Sequence, residues 1–191
     1  YGDLNYCIVR GKICGINQGT GDSMIAGVCG YNDGNINNVI NYAEISIVQN
    51  KNRAATVGGI VGSGKDIGSI LNSYNYGRIE VIGQEITESI SIGGVCGYGG
   101  NIIKKCANFS DIIVDTLVGK LGIRIGGIIG ASNSEDIENI IENYNKGNIT
   151  CLNSNTESLL IGGIAGISFQ ISNCYNLGDI ECINNNLNVN L

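Results

Sequence analysis

The stretch 58–66, GGIVGSGKD, falls one residue short of a phosphate-binding loop: from Gly59 it reads G-x-x-x-x-G-K. Such a loop cradles phosphates with backbone N–H groups, sets its Lys on the β and γ oxygens and holds Mg²⁺ through a Ser or Thr hydroxyl. Asp66 occupies the hydroxyl position, where a carboxylate repels phosphate. The same glycines return as GGVCGYGG, GGIIGASN and GGIAGISF with no lysine, so the stretch reads as the corner of a repeat.

Other reactive groups are sparse. The chain has no His, which removes the commonest general base and metal ligand and any Ser-His or Cys-His nucleophile pair. Its eight cysteines contain no C-x₂-C spacing, so neither a metal nor a cofactor is expected. The densest acidic run is SNSEDIENIIE. Glu135, Asp136 and Glu138 within it are the candidate ligand- or cation-binding carboxylates, with solvated loop charges as the plainer reading. Asn108 (NFS) and Asn148 (NIT) fit the glycosylation sequon.

The bulk composition narrows the partners. Net charge is −6, and the 11 basic residues form no stripe, so nucleic acid is not an expected partner. No apolar run reaches the length of a membrane span, so no membrane insertion is expected. Glycine supplies 30 of 191 residues, more than twice the average share, while Pro and Trp are absent. A hydrophobic fraction of 43% is enough to fill a core.

The elements that must carry these groups repeat. Segments ending in a common Ile recur at Ile13, Ile45, Ile79, Ile112, Ile149 and Ile180. Four residues before it stand Val9, Asn41, Asn75, Asn108, Asn145 and Asn176; two before it stand Gly11, Ala43, Gly77, Ser110, Gly147 and Gly178. A second block, of the form IGGIxG, has its second glycine at Gly27, Gly59, Gly94, Gly127 and Gly163, spaced by 32, 35, 33 and 36 residues. The whole chain, 1–191, reads as a single repeat domain with units near 1–30, 31–62, 63–97, 98–130, 131–166 and a truncated 167–191. Dense Gly with Ile, Val, Tyr and Asn disfavours helices. The unit is too short, and lacks the Trp-Asp signature, for a propeller blade. An all-β parallel solenoid is expected, right-handed, with one coil per repeat of about 34 residues. Each unit is expected to place a short strand ending at the common Ile, then a polar turn, then the glycine block at a bend that only glycine permits.

The alternation of NxYNxGxI with IGGIxG resembles the GLUG-motif repeats of bacterial surface proteins, including repeat regions of immunoglobulin A peptidases and adhesins. The resemblance spans essentially the whole chain and departs from the motif in the first unit, at Val9 and Ala26. It implies an extracellular or cell-wall scaffold that carries no catalytic residue. The implied role is adhesin stalk, spacer or binding surface, with a host glycan or surface protein and the neighbouring segments of a larger polypeptide as partners. The alternative is a carbohydrate-active β-helix, a polysaccharide lyase or glycoside hydrolase, which would gather several carboxylates and a Lys or Arg on one face.

Stacked coils turn sequence columns into ladders about 4.8 Å apart. The Asn column is expected inside, bonding along the ladder. Tyr74, Tyr144 and Tyr175 form one aromatic column, read as core packing. Tyr42, Tyr76 and Phe109 form another, nearer the surface because Lys146 shares it. Lys12, Glu44, Arg78, Asp111, Asn148 and Asp179 read as an outward polar column. Most cysteines read as buried fillers; Cys151 and Cys182 stack in adjacent coils, which leaves a disulfide between them open.

Overall fold

The computed structural model describes residues 2–18, 21–50, 53–64, 68–84, 88–99, 102–116, 122–132, 139–152, 158–168 and 170–183. They form a β-solenoid of short parallel strands with no helix among them, and so no helix long enough to cross a membrane. Each complete coil has five strands. In the third coil these are Ile70–Leu71, Tyr74–Asn75, Ile79–Gln84, Ile90–Gly93 and Cys96–Gly99. Equivalent strands stack into five parallel sheets, A to E in that order; A, B and C run through six strands, D and E through five.

Register follows the sequence columns. Ile79 pairs with Ile45 and Ile112, Asn75 with Asn41 and Asn108, and Gly93 with Gly58 and Gly126. The common Ile stands at the start of the sheet C strand instead of its end: it opens Ile79–Gln84, Ile112–Thr116, Ile149–Leu152 and Ile180–Ile183 and is second in Lys12–Asn17 and Glu44–Asn50. The residues before it are a corner. The buried Asn side chain bonds the backbone two residues on, which turns the chain just ahead of the Ile.

The interior has two apolar compartments. Ile45, Ile79, Ile112 and Ile149 of sheet C pack against Val57, Ile92 and Ile125 of sheet D. Ile36, Ile70, Ile103 and Ile140 of sheet A pack with Val61, Cys96 and Ile129 of sheet E. Hiding each such isoleucine contributes roughly 2–3 kcal/mol.

Between the compartments runs the asparagine ladder. Nδ2 of Asn41, Asn75, Asn108 and Asn145 donates to Oδ1 of the next Asn at 2.8, 2.8, 2.8 and 2.7 Å. Asn75 Nδ2 also donates to Gly77 O at 2.9 Å, while its Oδ1 accepts from Gly77 N at 3.2 Å and from Asn41. All four hydrogen-bonding positions of the amide are thus filled, which makes complete burial of a polar group tolerable.

The glycine block closes on this ladder, and here the expected reason for glycine is corrected. Gly27, Gly59, Gly94, Gly127 and Gly163 are absent from the positive-φ residues, so no left-handed bend demands them. They are needed for room: a Cβ on each would come within 2.3–2.5 Å of the side chain of Asn41, Asn75, Asn108, Asn145 or Asn176 respectively. The left-handed bend lies elsewhere, on Tyr6, Asn38, Asn72, Lys105, Glu142 and Asn173, with φ of 48–57°. Each stands three residues before the ladder position, at the corner between sheets A and B.

No disulfide joins the eight cysteines. Cys151 and Cys182 pair in register on sheet C, as their column implied, without a bond between them. In-register parallel strands hold Cα atoms at the coil spacing but keep the two side chains side by side instead of turned toward one another. Cys29 and Cys96 flank Val61 in sheet E, and Cys106 is wholly buried, as small fillers should be.

Candidate functional site

The most distinctive outer surface is the face of sheet B. Its strands are only two residues long, and the ladder Asn points inward, so the residues on either side of it must point outward. Tyr74 and Tyr76 therefore both flank Asn75 on the outside. This corrects the core assignment of the first aromatic column: Tyr74 and Tyr144, inside the stack, are half-buried at the surface, and Ile8 and Tyr175 of the end coils are exposed. The second column is exposed as expected, through Tyr42 and Tyr76.

The rings make a nearly continuous stack along the solenoid. Tyr42 and Tyr76 stack at 5.1 Å, Tyr76 and Phe109 at 4.4 Å with planes 2° apart, and Tyr144 and Tyr175 at 5.2 Å. Phe109 meets Tyr144 edge-on at 5.4 Å, which joins the two columns where Ala107 interrupts the first. Cations cover the stack: the Arg10 guanidinium lies 4.5 Å from the Tyr42 ring centre, and Lys146 Nζ lies 5.5 Å and 5.6 Å from those of Phe109 and Tyr144. The Tyr76 and Tyr144 phenols are held above their ordinary pKa, first by exclusion of water and then by neighbouring phenols that would share negative charge.

Beside the stack runs a groove of about 400 Å³, walled by Tyr74, Tyr144 and Tyr175 on one side and by the left-handed corner residues Asn72, Lys105, Glu142 and Asn173 on the other. Glu142 forms ion pairs with Lys104 at 3.6 Å and Lys105 at 3.9 Å. The corner residues were not singled out from the sequence, although their constant spacing from the ladder position was a usable signal. Aromatic walls, amide groups and a charged pair suit an amphipathic ligand with polar edges.

The other candidates fare differently. Glu135, Asp136 and Glu138 lie outside the described residues, as do Lys65 and Asp66. Gly59 N donates to Gly93 O, so the apparent phosphate loop spends its N–H in the coil ladder. Among the described residues no three Cys, Asp or Glu side chains gather as a metal site. The polar column at the start of sheet C is exposed throughout, and two of its members tie coils together: Asp111 Oδ1 accepts from Asn148 N and Asn148 Oδ1 from Asp179 N, both at 2.9 Å. Asn108 is fully buried, which removes it as a glycosylation acceptor in the folded chain, whereas Asn148 is exposed. Comparison with protein-family models, curated proteins and solved structures finds no match to this chain.

Proposed function

We propose that the chain is a non-catalytic repeat scaffold of a bacterial cell-surface or secreted protein, and that the aromatic face of sheet B is its binding surface for a glycan or surface protein. The observation that carries this reading is the stacked row from Tyr42 to Tyr175, held on the outside by the inward Asn ladder and bordered by Arg10, Lys105 and Lys146. Rings placed in water at this density contribute little to folding that an aliphatic column inside would not, and they offer the amphipathic area that recognition surfaces use. The resemblance to surface-protein repeats points the same way. Binding to an array of glycans and immobilised surface proteins, beside the triple variant Tyr74→Ser, Tyr144→Ser, Tyr175→Ser, tests the reading. Binding that the variant loses supports it; binding that the variant keeps in full contradicts it. New reducing ends or unsaturated products on incubation with polysaccharides would favour the carbohydrate-active alternative instead.

A further inference from the structure

A second cleft, of about 290 Å³, lies on a different surface, where the outer faces of sheets D and E meet. Its sheet D wall is the in-register row Met24, Thr56, Ser91 and Arg124; Ser63 and Tyr98, paired on sheet E, face it. Three of these groups stand without a protein partner among the described residues. Arg124 makes no ion pair, hydrogen bond or ring contact, whereas Arg78 is paired with Glu80 and Arg10 covers Tyr42. The hydroxyls of Ser63 and Ser91 are likewise unbonded, although these residues are only 5% and 3% exposed. The guanidinium of a half-buried arginine and two serine hydroxyls that open on the same cleft are donors with room for an acceptor.

We propose that this cleft binds an acidic sugar unit of the uronate type, its carboxylate on the Arg124 guanidinium and its hydroxyls on Ser63 and Ser91. The planar fork of arginine matches a carboxylate in two parallel hydrogen bonds. Serine hydroxyls both donate and accept, as the hydroxyls of a sugar require, and the Tyr98 ring supplies apolar wall for a sugar face. The volume suits one or two sugar rings. An extended peptide fits less well, because the D and E strands have paired their backbone groups between coils and offer it no free edge. Asp22 also lines the cleft but sits at the Met24 end, three coils or about 14 Å from Arg124, beyond the screening length of about 8 Å at physiological salt. It does not cancel the cation.

Isothermal titration with sodium D-glucuronate, D-glucose, sodium acetate and sodium sulfate tests this site separately from sheet B. Glucuronate is expected to bind at least about tenfold more tightly than glucose, which has no carboxylate for Arg124, and than acetate, which has no hydroxyls for Ser63 and Ser91. Arg124→Gln should lose that preference, Arg124→Lys should fall between, Ser91→Ala should weaken binding several-fold, and Lys12→Ser, on the exposed polar column of sheet C, should leave it unchanged. Unaltered circular dichroism and melting of each variant show that loss of binding is not loss of fold. No heat with glucuronate, equal binding of acetate or sulfate, or full retention in Arg124→Gln would each overturn the proposal.

Discussion

Gly27 and Asn41, 14 residues apart in the chain, touch in the interior: a Cβ on the glycine would fall 2.3 Å from Asn41 Cγ and Nδ2 and 2.4 Å from Oδ1. The amide cannot swing away, because Asn41 Nδ2 is bonded to Ala43 O and Asn75 Oδ1, and Oδ1 accepts from Ala43 N. The two halves of the repeat motif are therefore the two sides of one contact. At Gly59 the constraint is tighter still, since its Cβ would also meet Gly94 O at 2.1 Å. Gly59→Ala should destabilise the fold by about 3 kcal/mol, the upper end for overpacking, whereas Gly21→Ala, with nothing within 4 Å, should change it by less than about 0.5 kcal/mol in urea unfolding.

The ladder predicts a position effect. Asn108→Ala removes the acceptor of Asn75 Nδ2 and the donor to Asn145 Oδ1, both buried. At about 1–3 kcal/mol for each polar group stranded, the loss should reach several kcal/mol. Asn176→Ala removes one ladder bond, from Asn145 Nδ2, and the donor to Gly178 O, both in a partly buried setting, and should cost clearly less by the same measurement.

Much of this arrangement was legible in the sequence, because in a parallel stack a column of like residues becomes a spatial ladder with no further folding decision. The Asn column and the phase of the glycine block fall into this class. The aliphatic company of its column suggests an inward Tyr74, and the structure differs for a definite reason: with Asn75 inside, strand alternation forces its neighbour out. The cleft around Arg124 could not be read either. It depends on how the outer faces of sheets D and E converge, which residue spacing does not encode.

The corner between sheets A and B gives a test of backbone strain. Lys105 holds φ of 55°, where a side chain costs roughly 1–2 kcal/mol relative to glycine. Its ion pair with Glu142 is exposed and at 3.9 Å contributes little. Lys105→Gly should raise the thermal midpoint and Lys105→Val should lower it; the reverse order would contradict the corner conformation.

Burial pushes the Cys106 thiol from near 9 up to about 12. Native protein then keeps a proton that the unfolded chain has released between those values, so stability falls as pH rises through that window, by about 1.4 kcal/mol per pH unit from this residue. Cys106→Ala should flatten the dependence on pH above 9. With a thiol reagent at pH 8, the exposed Cys14 should react at once and Cys106 only as fast as the protein unfolds.

A double-mutant cycle on Gly27 and Asn41 reaches the central relationship most directly. Gly27→Ala, Asn41→Ala and the pair together are compared by urea unfolding. If the glycine exists to make room for the amide, shortening Asn41 relieves the clash, and the double variant is more stable than the sum of the single losses predicts, by about 1–2 kcal/mol. Losses that simply add, within about 0.5 kcal/mol, would mean that the glycine block does not close on the asparagine ladder.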